Sequence, residues 1–364
     1  MLYFWHVKWS RRFRIMSELR INNITDRAGS SGPIIAGVST VTSTSHMVMP
    51  SGPTEMRGGR GRGIIAGGYA NPSFLSSMEF IQISTTGNST DFGDMSEAKR
   101  NLTGASSSIR GIIFGGQTPS SPNVPEMSIE YVTISSSGGG NDFGDLATNH
   151  HDGAGVTSEI RGFVCGGGNT YQNVIDFVTI ASTGDSTDFG DLAEFGRQLN
   201  AGCESPTRGI ILGGYNGAPH PSPSSTTPTI QFFNFASQGN TTKFGELTQS
   251  ARNVIAVSDQ TRGVRMGGYT EPAGAFTDTI DFITMASEGN ATDFGNLLAA
   301  VLNGAPAQNR TRGVMMGGST PTYLNTIQFI TIQSAGNATD FGDLLAAIAS
   351  VPAGLCDINA SSSG

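Results

Sequence analysis

Arg262-Gly-Val-Arg-Met-Gly-Gly, Thr279-Ile-Asp-Phe-Ile-Thr-Met-Ala and Asp293-Phe-Gly-Asn-Leu make up one unit that recurs along the chain. A Phe-Gly pair returns at Phe92, Phe143, Phe189, Phe244, Phe294 and Phe341. Each Phe lies 13 residues after an acidic or amide residue: Glu79, Glu130, Asp176, Gln231, Asp281 and Gln328. Arg-Gly pairs begin at Arg62, Arg110, Arg161, Arg208, Arg262 and Arg312, and the last five follow a Phe by 18 or, at Arg208, 19 residues. Only the stretch from each Arg to the next acid or amide changes, running 17, 20, 15, 23, 19 and 16 residues. A fixed unit with one variable loop, at a period near 50 residues, is the signature of a repeat architecture.

Within a unit, the run from Arg262 is a short apolar strand stopped by paired glycines. The Thr279 run places Ile280 and Phe282 on one face and Asp281, Ile283 and Met285 on the other. Both faces are largely apolar, so the strand is covered on two sides. Glu288-Gly-Asn-Ala-Thr is a turn, the Asp293 run a third strand, and residues 301–307 a fourth leading back to Arg312. Four strands per unit, arranged radially, predict an all-β chain folded as a six-bladed β-propeller. Residues 349–358 occupy a fourth-strand slot with no Arg-Gly strand after them, and are expected to complete the unit that opens at Arg62. Residues 52–61 compete for that slot, but their clustered glycines and arginines make the poorer strand.

The expected organisation is an extended N-terminal arm over 1–55, serving docking or oligomerisation, and a propeller over 56–364. Met16, followed by Ser-Glu-Leu-Arg, offers a natural start, which leaves open whether residues 1–15 belong to the native protein. The net charge of −8 and pI near 5.1 argue against a nucleic-acid partner, because neutralising phosphates takes Lys and Arg. No stretch is long and apolar enough to predict membrane insertion. Three cysteines without a spacing motif predict neither a disulfide framework nor a zinc site.

The double glycines at 67–68, 115–116, 166–167, 213–214, 267–268 and 317–318, three of them followed by Tyr69, Tyr215 and Tyr269, resemble kelch repeats. The chain departs from kelch where Phe-Gly stands in place of the usual Trp. Ser17-Glu-Leu-Arg-Ile-Asn-Asn-Ile-Thr-Asp-Arg-Ala-Gly resembles the N-terminal leader of bacteriophage tail-fibre and appendage proteins. The refrain Thr-Asp-Phe-Gly-Asp-Leu, taken with Arg-Gly-x-x-x-Gly-Gly, is similar to kelch-like propellers of phage structural proteins. This resemblance implies a non-enzymatic virion protein at a fibre, spike or capsid-surface position. The arm would bind other virion proteins within a homo-oligomer or larger assembly, and the loops would meet a host-surface glycan or receptor. An intracellular kelch-type interaction adaptor and a carbohydrate-active kelch enzyme are the alternatives.

Candidate chemistry is sparse. The acidic refrain (Asp91 and Asp94, and its copies) reads as turn-forming because a Phe-Gly separates the pair, which spoils a calcium loop. The Arg-Gly arginines are expected to tie strands together through carboxylates or carbonyls. Asn-x-Ser/Thr triplets at Asn88, Asn240, Asn290 and Asn337 recur at one turn and read as turn residues. His150 and His151 are expected on strands. No catalytic residue, metal site or cofactor is expected. The variable loops, all emerging on one rim, are the expected binding surface, with Tyr69, Phe74, Tyr171, Tyr215, Asn216, His220, Tyr269, Phe276 and Tyr323 as the candidate residues.

Overall fold

The computed structural model describes residues 61–357, apart from 121–125, 169–170, 194–196, 199, 217–224 and 272. All of these belong to one compact unit, Pro53–Gly364. The expected arm over 1–55 and the competing segment 52–61, except for Gly61, lie outside the described residues.

The described chain is all-β, and its core is six four-stranded antiparallel sheets. The fifth sheet is typical; counted from one edge to the other and not in chain order from Arg262, its first to fourth strands are Ile255–Ser258, Arg262–Met266, Thr279–Thr284 and Thr292–Asn296. In the first sheet the edge strand Ala353–Cys356 comes from the far end of the chain and pairs with Arg62–Ala66. The expected segment 349–358 therefore contributes a shorter strand, and Ala349 instead bridges Tyr69 in a loop.

Edge strands such as Ala353–Cys356 pack against their counterparts in the sheets on either side. Thr103–Ser106 touches both Ala154–Thr157 and Ala353–Cys356, and Ala305–Gln308 touches both Ile255–Ser258 and Ala353–Cys356. They can approach so closely because each carries a small residue at its centre: Gly104, Gly155, Gly202, Ala256, Pro306 and Gly354. A Cβ on Gly155 would lie 2.0 Å from the Gly104 carbonyl oxygen, and one on Gly354 would lie 2.0 Å from that of Pro306.

Between consecutive sheets the apolar faces form separate cores. One joins Ile64, Met78 and Phe92 of the first sheet to Ile113, Val132 and Ile134 of the second. Another joins Val314, Ile327 and Phe341 of the sixth to Ile65, Ile81 and Ile83 of the first. The repeated Phe reaches these cores because it is the extra residue of a bulge. Glu79 pairs with Asp91 and Met78 with Gly93, which leaves Phe92 unopposed and turned inward. Asp91 and Asp94 flank it on the exposed side of the Thr90–Asp94 strand, so the refrain is strand and not turn.

Three recurrent contacts tie sheet to sheet. In the first, the turn after each third strand latches onto the neighbouring outer strand. Gly87 N–H donates to the Phe341 carbonyl at 2.8 Å, Gly138 to Phe92 at 2.8 Å and Gly184 to Phe143 at 2.7 Å. The triplet asparagines extend this latch: Asn88 Oδ1 accepts from Asp343 N–H at 3.0 Å, and Asn240 Oδ1 from Asp191 N–H at 3.0 Å.

The second contact explains the acid or amide at fixed distance from the Phe. Glu130 accepts from Ser96 N–H at 2.9 Å, Gln231 from Ala193 at 2.9 Å, Asp281 from Thr248 at 3.1 Å, Gln328 from Leu298 at 2.9 Å and Glu79 from Leu345 at 2.9 Å. Asp176 is the exception. Its carboxylate faces His150 Nε2 at 3.1 Å, and Ala147 N–H turns to Ser186 Oγ.

The third contact is made by the Arg-Gly arginines, which stack on an aromatic ring of the same sheet. Arg62 lies 4.6 Å over Phe80, Arg110 4.6 Å over Tyr131 and Arg161 4.7 Å over Phe177. Their edges reach carbonyls of the next sheet: Arg62 to Ile134 at 3.0 Å and Arg312 to Ile83 at 3.0 Å. The expectation of carbonyl partners holds. Among the described residues these arginines reach carbonyls and not carboxylates, with an aromatic ring against one face of each guanidinium.

One sheet replaces an apolar residue with a charge. At the place of Ile65, Ile113, Ile211 and Met315 the fifth sheet has Arg265, fully buried and 2.6 Å from Asp281. The sixth sheet meets the same need with Met315 against Gln328, whose amide points at the thioether sulfur. Arg265→Met alone leaves Asp281 charged and half-partnered in the core, at an expected cost of about 3–5 kcal/mol. Arg265→Met with Asp281→Gln copies the sixth sheet and is expected to recover most of that loss in a denaturant titration. No recovery would mean that the pair serves something beyond its own neutralisation.

Candidate functional site: the loop rim

The variable loops run between second and third strands, on the same side as the links that carry the chain from one sheet to the next. Loop and link pair with each other, an arrangement absent from the strand pattern of the sequence. Tyr69 bridges Ala349, Gln117 bridges Arg100, Tyr269 pairs with Arg252 and Ser319 bridges Leu302. The paired glycines before these residues make this possible. Gly67 and Gly68 both hold positive φ, and Gly68 N–H donates to the Lys99 carbonyl of the following link at 2.8 Å. Each loop is thus pinned where it leaves its sheet.

The candidate aromatics meet in two groups. Tyr69 stands edge-on to Phe74 at 5.6 Å and to Tyr323, from a different sheet, at 5.8 Å. Arg100 lies 4.7 Å over Phe74 and 6.0 Å from Tyr69. In the second group Tyr171 contacts Tyr215 at 5.9 Å and Tyr269 contacts Phe276 at 6.1 Å. Arg252 joins them, sandwiched 4.6 Å from Tyr215 and 4.8 Å from Tyr269. Glu271 sits 3.7 Å from Arg252 and also accepts from Thr226 N–H. Most of these rings are half-buried against one another, and Tyr323 is the most open at 37%. Asn216 continues the Tyr215 strand and pairs with Arg197. His220 lies outside the described residues.

Arg100 and Arg252 escaped the sequence reading. Both stand eight residues after a Phe, inside the segment whose constant length drew attention away from its contents.

Elsewhere the described residues hold little that could act chemically. A cavity of about 70 Å³ lies among the ends of the edge strands, lined by Asp152, Asn200, Asn253's neighbours Val254 and Ile255, and Asn303. His150 and His151 sit in a link, not on strands, which corrects the expectation; the positive φ of Asp152 shows how sharply the chain bends there. His150 Nδ1 donates to the Gly166 carbonyl at 2.6 Å, so both ring nitrogens are occupied. Cys165 lies near Asp176, giving a Cys, His and Asp in one neighbourhood. Burial first, then the Asp176 charge, pushes the Cys165 thiol far up, so no thiolate forms. Among the described residues, no group of three or more His, Cys, Asp or Glu is placed to hold a metal. The chain matches no protein-family model and no curated protein.

All three cysteines are buried and free. Burial pushes Cys356 up to about 12, with Glu204 and Asp357 adding to the effect against hydrogen bonds from the Gln308 backbone and Ser106, and Cys203 rises likewise by burial and then Glu204. A thiol-reactive disulfide reagent at pH 8 is expected to find none of them in the folded protein and all three after denaturation. Rapid reaction of one thiol in the native state would contradict this burial.

Proposed function

We propose that the chain is a non-enzymatic structural protein of a bacteriophage virion, a closed six-bladed kelch-like propeller that presents its loop rim at a fibre, spike or capsid-surface position. The observation that carries the presentation reading is a division of labour. Latches, acid or amide contacts and arginine stacks are spent between sheets, whereas the variable loops gather half-exposed aromatics and two arginines on one side. Function concentrates on loops held by a rigid scaffold, and aromatic-rich loops suit saccharide or protein recognition. The virion assignment rests on the resemblance of the leader and of the Phe-Gly refrain. The arm anchors the protein to other virion proteins within an oligomer or larger assembly, and the rim contacts a host-surface glycan or a neighbouring protein.

Closure is supported by contacts that join the two ends of the described chain: Ala353–Cys356 beside Arg62–Ala66, Leu345 N–H on Glu79, and Gly87 N–H on Phe341. Deleting residues 349–364 exposes an unpaired strand edge and is expected to abolish cooperative unfolding. A truncated protein that melts like the parent would exclude a closed ring.

The rim is tested at its longest loop, residues 214–228. Shortening it to the length of the third unit's loop should leave the melting temperature near that of the parent. Attachment to host cells or to the neighbouring virion protein should weaken about tenfold or more, equivalent to about 1.4 kcal/mol. Unchanged attachment, with deletion of residues 17–45 removing all association, would make the arm the only functional surface.

A further inference from the structure

We infer that Arg100, with Phe74, Tyr69 and Tyr323, forms a subsite for the carboxylate of an acidic sugar; the inference rests on the rim reading above and specifies its ligand. Arg100 is held in place by its backbone, which exchanges two hydrogen bonds with Gln117 at 3.1 and 2.9 Å. One face of its guanidinium is covered by Phe74. The N–H donors lie in the plane of the group, so stacking uses the face and leaves the edge for a planar oxyanion.

No carboxylate pairs with Arg100 among the described residues, where the ion pairs of arginines are Arg252 with Glu271 and Arg265 with Asp281. The other rim arginine supplies the internal comparison. Arg252 also stacks on the Tyr that follows a double glycine, but it has Tyr269 on its second side and Glu271 beside it. Counting from the glycines, the residues corresponding to Tyr269 and Glu271 near Arg100 are Gln117 and Pro119. The whole run from Gln117 through residue 125 carries no acid, and Glu126 accepts from the Thr118 hydroxyl at 3.1 Å. Arg100 therefore keeps the aromatic support of Arg252 and lacks the carboxylate.

The surroundings select a sugar. Tyr323 is open, Phe74 and Tyr69 are half-open, and Asn71 is exposed beside the Tyr69 hydroxyl. Ring faces pack against sugar C–H groups, and the amide and hydroxyl bond to sugar hydroxyls. An acidic peptide is less suited, because Tyr69 already pairs with Ala349 on one side and Phe74 on the other, leaving no strand edge to extend. A polyphosphate is less suited because the group of Arg100, Phe74, Tyr69 and Tyr323 holds a single cation, which matches one carboxylate and not several phosphate charges.

The test is calorimetry and saturation-transfer NMR on the full chain with a trisaccharide ending in glucuronic acid. Its glucose-ended counterpart, inorganic phosphate and a Glu-rich peptide complete the set. The acid-ended sugar is expected to bind about tenfold tighter than the neutral one, the scale of a charge-assisted bidentate bond in a partly solvated site. Arg100→Gln should erase that preference, and Arg100→Lys, which keeps the charge and loses the fork, should recover part of it. Melting curves of both variants establish that the fold is retained; if Arg100→Gln does not fold, the Lys variant carries the comparison. Equal binding of the two sugars, or an unaltered preference in Arg100→Gln, overturns the subsite. So does phosphate or the Glu-rich peptide binding more tightly than the acid-ended sugar. If the shortened 214–228 loop weakens attachment while Arg100→Gln leaves sugar binding intact, the rim reading stands and the Arg100 subsite falls.

Discussion

Everything else in this molecule depends on how closely the turn of one sheet approaches the outer strand of the preceding sheet. At Gly190, φ is 151° and an added Cβ would lie 2.4 Å from the carbonyl oxygen of Gly239; at Gly342 it would lie 2.4 Å from that of Gly87. Nothing larger than a hydrogen fits there. The close approach lets the turn glycine donate to the Phe carbonyl, lets the triplet Asn accept from the outer strand, and fixes the distance over which each core fills. The Phe-Gly pair therefore joins two roles. Its first residue fills the core through a bulge, and its second admits the neighbouring turn. The edge strands obey the same rule, since their central residues are Gly, Ala or Pro. The sheets meet at both ends of their width through backbone contacts, with apolar side chains between.

Polar groups drawn into such a frame must be satisfied where they lie, because burying an unpartnered acceptor costs about 1–3 kcal/mol. The acid or amide on each third strand answers this by accepting a backbone N–H of the preceding sheet. Glu and Gln both supply the acceptor, and Glu130 in addition forms a buried ion pair with Lys99 at 2.9 Å. Where a unit deviates, it settles its account locally. Asp176, turned away from the preceding sheet, meets His150, and Asp281 meets Arg265 in addition to Thr248. The arginines on second strands work by shape, with one face on an aromatic ring and an edge on carbonyls. Such stacks are worth roughly 0.5–1 kcal/mol each when solvent reaches them.

The all-β repeat of four-stranded antiparallel sheets was legible because its signals are local in sequence and repeated: an apolar run, paired glycines, a turn and Phe-Gly at fixed offsets. The purpose of those signals was less so. Glu130 looked like a residue at a set distance from Phe143, but its partner Ser96 lies in another sheet, 34 positions away. The acidic flanks of Phe92 were read as turn-forming because a bulge is invisible in a string of residue types. His150 and His151 were placed on strands for want of any cue to the link that holds them. At the rim, the nine candidate residues were found by composition, whereas their grouping was not. Tyr69 meets Tyr323 and Tyr215 meets Tyr269's arginine only because loops of different units lie side by side. Arg100 and Arg252 could have been found by comparing the contents of the constant segments instead of their lengths.

The pairing of loop with link also bears on how the rim can vary. A loop that ends in a free hairpin carries the full entropy of its length, and ordering it on contact opposes binding. Here each paired-glycine exit is hydrogen-bonded to a link, as at Gly68 with Lys99 and Gly268 with Val301. Lengthening a loop beyond that anchor adds only slowly to the entropy of closing it, about 0.6 kcal/mol per doubling. The frame therefore tolerates offsets of 15 to 23 residues from Arg to the acid or amide, with the difference taken up in the loop, without disturbing the contacts between sheets. A rim built this way can change its residues unit by unit, as the contrast between the Glu271-paired Arg252 and the unpaired Arg100 illustrates, while the positions from which those residues project stay the same.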